Sequence, residues 1–170
     1  MTISVYANDA ITLTLSTNDG TMPALSWEFD GTVDIMRAEV PSTEFNVIGT
    51  SSDMTYVDET AIPGREYVYK LRGFIDTEEV YSNEVQVFYK LETPQIVSSN
   101  NADSGKPVVK WDAVNGADRY EIYRATSENG PFKKMYTQKS NVYTNTNSKV
   151  GNLYYYKVKA KVGSKFSGAS

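Results

Sequence analysis

The 170-residue chain contains no cysteine and no histidine. Their absence removes disulfides, thiolate nucleophiles, imidazole bases and most transition-metal sites together. A carboxylate pair is the main catalytic device left, and the spacing of Asp and Glu in one sequence does not bring two of them together. No stretch approaches the ~18 apolar residues of a membrane-spanning helix. No window of about 11 residues sustains an apolar period of 3.6, so helix is at most a minor component. The opening MTISVYANDAITLTL has neither a basic n-region nor a continuous apolar run, and so does not read as a secretory signal. These absences lead us to expect a non-enzymatic protein with no cofactor, no metal and no membrane span. It is either made and assembled in the cytoplasm or cut from a longer secreted chain.

What is present is β-forming. Tyrosine reaches 13 residues, and Thr, Val and Ser recur throughout. The chain is also a duplication. An offset of 87 aligns residues 35–73 with 122–160 without a gap, and ten pairs are identical. They are Ile35 and Ile122, Arg37 and Arg124, Ala38 and Ala125, Phe45 and Phe132, Thr50 and Thr137, Tyr56 and Tyr143, Gly64 and Gly151, Tyr67 and Tyr154, Tyr69 and Tyr156, and Lys70 and Lys157. Trp27 and Trp111 pair at an offset of 84. The repeated unit is a whole domain, longer than a solenoid repeat. In the second copy, strands are expected at 107–112, 119–125, 132–138, 142–146 and 153–162, separated by the turn clusters NGAD, SENGP and SKVGN. The pattern predicts an all-β protein of two tandem antiparallel sandwiches, residues 10–91 and 92–170, preceded by an arm of residues 1–9.

Trp111, the strand Tyr120-Glu121-Ile122-Tyr123 and the run Gly151-x-x-Tyr154-x-Tyr156-x-Val158 resemble a fibronectin type III domain. Trp27 and Ile62-Pro63-Gly64-Arg65-Glu66-Tyr67 carry the same features in the first copy. The stretch GADRYEIYRATSENGPFKKM is similar to versions found in surface and accessory proteins of Gram-positive bacteria and their phages. The resemblance implies an immunoglobulin-like sandwich with scaffold, spacer or adhesion roles and no catalysis. It also implies that both tryptophans are core residues and that Tyr67 and Tyr154 occupy the tyrosine corner, with a buried ring and a hydroxyl bonded to nearby backbone.

The stretch LYYYKVKAKV, residues 153–162, divides by strand alternation. Tyr154, Tyr156, Val158, Ala160 and Val162 share the apolar face, with Tyr154 and Tyr156 joining Trp27, Tyr67, Tyr69 and Trp111 as expected core. Tyr155, Lys157, Lys159 and Lys161 share the other face. That face is a candidate binding face on which Tyr155 could stack on a sugar or a base, set against the plainer reading of a solvated lysine stripe.

Charge is split between the copies. Residues 1–91 hold 5 Lys and Arg against 15 Asp and Glu, a net of −10, and residues 92–170 hold 12 against 6, a net of +6. Such asymmetry favours oriented contact between molecules, and leaves the second copy able to touch anionic polymers such as teichoic acid. Specific nucleic-acid binding is not expected, because the basic residues come with no recognition helix or stacking platform.

The two ends do not match. In the arm, Ile3 and Val5 alternate with Thr2, Ser4 and Tyr6, which suits an attachment strand. The second copy stops short of a counterpart to Glu84–Tyr89, so its last strand is expected to be missing, leaving an open edge that the arm of another molecule could pair with. Two functional expectations follow. The first is a structural or adhesion protein decorating a larger assembly such as a phage virion, with self or other virion and surface proteins as partners. The second is a spacer or carbohydrate- and cell-surface-adhesion segment of a secreted surface protein or glycan-degrading enzyme. Localisation is then the virion or the cell surface.

Overall fold

Burial alternates residue by residue along stretches such as 24–27 and 66–73, as a two-residue side-chain period requires. The computed structural model describes residues 11–17, 20–101 and 105–170; the arm with Ile3, Val5 and Tyr6 lies outside them. The chain divides into one unit of residues up to Ala61 with Arg65–Tyr89, and another of Ile62–Gly64 with Lys90–Ser170. Among the described residues there is no helix, and so none long and apolar enough to cross a membrane.

The first unit has strands β1 (Thr12–Leu15), β2 (Ala24–Glu28), β3 (Val33–Glu39), β4 (Asn46–Ser51), β5 (Thr55–Val57), β6 (Glu66–Ile75), β7 (Glu78–Tyr81) and β8 (Val85–Phe88). They form a sheet of order β1-β2-β5 and a second of order β4-β3-β6-β7, antiparallel throughout. Strand β6 shows the period clearly: Tyr67, Tyr69 and Leu71 are buried, while Val68, Lys70 and Arg72 are half-buried on the other face. Two short strands share its outer edge, β7 pairing with Arg72–Ile75 and β8 with Glu66–Tyr69. Leu13, Leu25, Trp27, Ile35, Tyr67 and Tyr69 are the main core side chains.

The second unit repeats this with β9 (Ile96–Asn101), β10 (Pro107–Trp111), β11 (Arg119–Ala125), β12 (Lys133–Gln138), β13 (Val142–Thr144), β14 (Tyr155–Val162) and β15 (Lys165–Ala169). Its sheets have the orders β13-β10-β9 and β12-β11-β14-β15. Val109, Trp111, Ile122, Val158 and Ala160 fill the core. The glycines that precede β6 and β14, Gly64 and Gly151, have φ of 84° and 83°. That left-handed conformation costs glycine little and other residues more, which accounts for an identical pair at this turn.

Strand β15 corresponds to β7 at the 87-residue offset. Among the described residues nothing pairs with the start of β14 as β8 pairs with the start of β6. Of the two tyrosines expected in the core here, Tyr156 packs against it while only partly buried, and Tyr154 stands outside it, which corrects the expectation for Tyr154. Tyr67 and Tyr69 are 2% and 0% exposed, with Val87 and Val85 of β8 as their register partners. Tyr154 and Tyr156 have no such neighbour and are only half-buried, Tyr154 standing just before β14.

Candidate functional site

The most enclosed polar group of the first unit is Asp58, which follows β5 and is fully buried. Its Oδ2 accepts hydrogen bonds of 2.7 Å from Arg37 Nη1 on β3 and from Tyr69 Oη on β6, and its Oδ1 accepts from the Thr60 backbone and hydroxyl. Burial pushes the Asp58 carboxyl up, but the bonds from Thr60, Tyr69 and Arg37 outweigh it and hold the group below the ordinary aspartate range. The second unit has Asn145 in this place, also fully buried. Arg124 Nη1 donates to its Oδ1 at 3.1 Å, and its Nδ2 donates to Tyr156 Oη at 2.7 Å. Both nodes tie the shorter sheet to the longer one, and their central groups, Asp58 and Asn145, are closed to solvent, so they are clamps within the sandwich. Alignment of identical residues missed them, because Asp58 and Asn145 differ.

Tyr154 keeps the hydrogen bond of a tyrosine corner without the burial. Its hydroxyl accepts from the Lys149 backbone N–H at 3.0 Å, which draws its pKa down, and the Arg124 guanidinium lies 4.8 Å from the ring centre. The indole N–H groups of Trp27 and Trp111 are buried with no acceptor among the described residues.

The lysine face lies on the outer side of the β12-β11-β14-β15 sheet. Lys157 Nζ sits 4.8 Å from the Phe132 ring centre, Lys159 Nζ 5.8 Å from Tyr123, and Lys161 Nζ 5.5 Å from Phe166. Tyr155 was the expected aromatic of this face. It is half-buried and none of the lysines covers it; the rings come from neighbouring strands instead. The pairing of Lys157 with Phe132 repeats that of Lys70 with Phe45 at 4.0 Å, which explains two of the identical pairs as scaffold.

Lys159 and Lys161 depart from the first unit. Arg72, the counterpart of Lys159, donates to Asp34 at 3.0 Å and reaches Glu79 at 3.4 Å. In the second unit Glu121 takes the place of Asp34 and Phe166 that of Glu79. Glu121 is 6% exposed and accepts from Tyr123 Oη at 2.6 Å and Lys134 Nζ at 3.1 Å. Burial raises its pKa, those two bonds act against that and outweigh it, and the net direction is down. The same bond pushes the Tyr123 hydroxyl up to about 12. Among the described residues Lys157, Lys159 and Lys161 therefore form no ion pair, and strand geometry spaces them about 7 Å apart.

A segment of two fibronectin type III domains from chicken tenascin superposes at a TM-score of 0.78, with 16% identity, over 95% of this chain and 97% of that one. The chain has the fold of two tandem fibronectin type III domains. Domains 1–3 of chicken CNTN1 superpose at a TM-score of 0.40 with 17% identity, over 95% of this chain and 65% of that one. In sequence, an amylopullulanase of Thermoanaerobacter thermohydrosulfuricus is 32% identical over 107 residues, covering 57% of this chain. The chain spans about 7% of that protein's length. No family model matches.

Proposed function

We propose that this tandem is a non-catalytic module of a secreted or surface polypeptide that acts on glycans, and that its second unit rests on an anionic surface polymer through Lys157, Lys159 and Lys161. The observation that carries this reading is the contrast between Arg72, neutralised by Asp34 and Glu79, and Lys159, which lies over an aromatic ring with no carboxylate partner. A row of unpaired cations at about 7 Å spacing attracts a polyanion, and the rings hold the lysine stems along the sheet. Similarity to a short part of a much longer amylopullulanase supports a place within a long polypeptide over attachment to a virion.

The test is sedimentation of the purified chain with isolated Gram-positive cell walls. Binding is expected at low ionic strength and release at ~1 M salt, where the screening length is ~3 Å. At roughly 0.5 kcal/mol per exposed charge contact, Lys157→Gln with Lys159→Gln and Lys161→Gln should weaken binding about ten-fold and leave folding unchanged. Binding by the triple variant equal to that of the unaltered chain would reject the reading.

A further inference from the structure

At the side of the second sandwich, between the edge strands β12 and β13, lies a hollow of about 370 Å³. Tyr136 and Tyr143 form its aromatic part, their ring centres 6.4 Å apart and their planes within 28°. Tyr156 meets Tyr143 edge-on at 6.4 Å and is itself held by Asn145. Gln138, Thr144, Thr146 and Asn147 supply amides and hydroxyls around the rings, and no charged side chain lines the hollow. The Gln138 amide nitrogen is committed, Nε2 donating to the carbonyls of Ser140 and Val142 at 2.7 Å, which fixes the side chain with Oε1 left to accept.

The first unit closes this same place. There Gly49 stands where Tyr136 does, and Tyr56 stands where Tyr143 does. Tyr56 Oη donates to the Ile48 carbonyl of β4 at 3.2 Å, and a β-carbon on Gly49 would lie 2.8 Å from that hydroxyl. Tyr56 thus folds across the glycine. With Tyr136 in place of the glycine, the second unit cannot repeat this closure. Among the described residues neither the Tyr136 nor the Tyr143 hydroxyl has a hydrogen-bond partner in the protein, and Tyr136 is 58% exposed.

We infer that this hollow binds a neutral oligosaccharide of pyranose units. The C–H face of a pyranose is apolar and packs on an aromatic ring, while its rim of hydroxyls needs neutral donors and acceptors, the groups found here. A volume near the small end of the ~300–1,000 Å³ range of ligand sites suits a short stretch of glycan. The site is separate from the lysine face, and its ligand is uncharged, so it goes beyond the function proposed above.

The experiment is NMR titration of the full chain with maltotriose, cellotriose and chitotriose, alongside inorganic polyphosphate. At least one trisaccharide is expected to bind saturably, shift the signals of Tyr136, Tyr143 and Asn147, and keep its affinity when salt is raised. Tyr136→Gly, which restores the residue of the first unit, should weaken binding at least ten-fold, as should Gln138→Ala. The triple lysine-to-glutamine variant should bind the sugar normally, which separates failure here from failure of the lysine face. The inference is overturned if none of the three sugars binds saturably, if Tyr136→Gly binds as well as the unaltered chain, or if polyphosphate alone shifts these signals.

Discussion

Asp58 and Asn145 occupy the same place in the two units, each fully buried and each joined to an arginine and a tyrosine of the longer sheet. In one the tyrosine hydroxyl donates to a carboxylate; in the other it accepts from an amide. The same three-way link between sheets is thus made once with a charge and once without.

Removing that carboxylate should matter more than neutralising it. Asp58→Ala leaves the Arg37 guanidinium and the Tyr69 hydroxyl without their partner, and breaking a buried ion pair from one side costs about 3–5 kcal/mol. Asp58→Asn can adopt the bonding seen at Asn145, so its cost should be about 1–2 kcal/mol. Amide exchange at Ile35 and Leu71, in the strands that carry Arg37 and Tyr69, reports the first unit in the intact chain. Equal loss of protection in the two variants would contradict the link as described.

The node also sets an acid limit. The folded-state pKa of Asp58 lies below its unfolded value, so its stabilisation is complete above the ordinary aspartate range near ~3.9 and is lost as the pH falls below it. Glu121 adds a similar dependence to the second unit. Asp58→Asn should therefore flatten the loss of stability below pH ~4 in the first unit and leave the second unit's profile unchanged. Thermal scans at a series of acid pH values, read by amide exchange in each unit, would reveal a profile that fails to flatten.

The fold was legible because it rests on repetition and alternation. Trp27, Trp111, Tyr67 and Tyr69 sit on inward positions that a two-residue period marks out, and β11 coincides with the expected 119–125. What stayed hidden depends on a neighbouring strand. Tyr154 and Tyr156 are identical to Tyr67 and Tyr69, yet their burial differs because β8 lies beside only one pair. The rings under the lysines come from positions 132, 123 and 166, brought together by pairing that no local pattern states. The Asp58 and Asn145 nodes fell outside a comparison of identities. Tyr136 escaped notice because its meaning lies in the glycine it replaces.

Both tryptophans should tolerate phenylalanine better than alanine. Trp→Ala in a packed core costs about 3–5 kcal/mol. Trp27→Phe and Trp111→Phe lose less volume, and each also removes a buried indole N–H that has no acceptor among the described residues, a group whose burial costs about 1–3 kcal/mol. Each Phe variant should therefore cost less than half of its Ala counterpart in denaturant unfolding. A Phe variant as damaging as Ala would mean that the indole N–H is engaged in the folded protein.

The closed side of the first sandwich offers the converse test. A β-carbon at Gly49 would meet Tyr56 at its Oη, Cε2 and Cζ, at 2.8, 2.9 and 3.0 Å, so Gly49→Ala must displace the ring and break its bond to the Ile48 carbonyl. Overpacking of this kind costs about 1–3 kcal/mol. In the second unit Tyr136 is mostly exposed, and Tyr136→Gly should change stability by no more than about 1 kcal/mol, the glycine's own backbone entropy included. The clash has one partner, so a double-mutant cycle can isolate it. In a Tyr56→Ala background the cost of Gly49→Ala should fall nearly to zero, because the ring that the new methyl would strike is gone. An undiminished cost in that background would place the strain in the β4 backbone and remove the steric reason given for the difference between the two sandwiches.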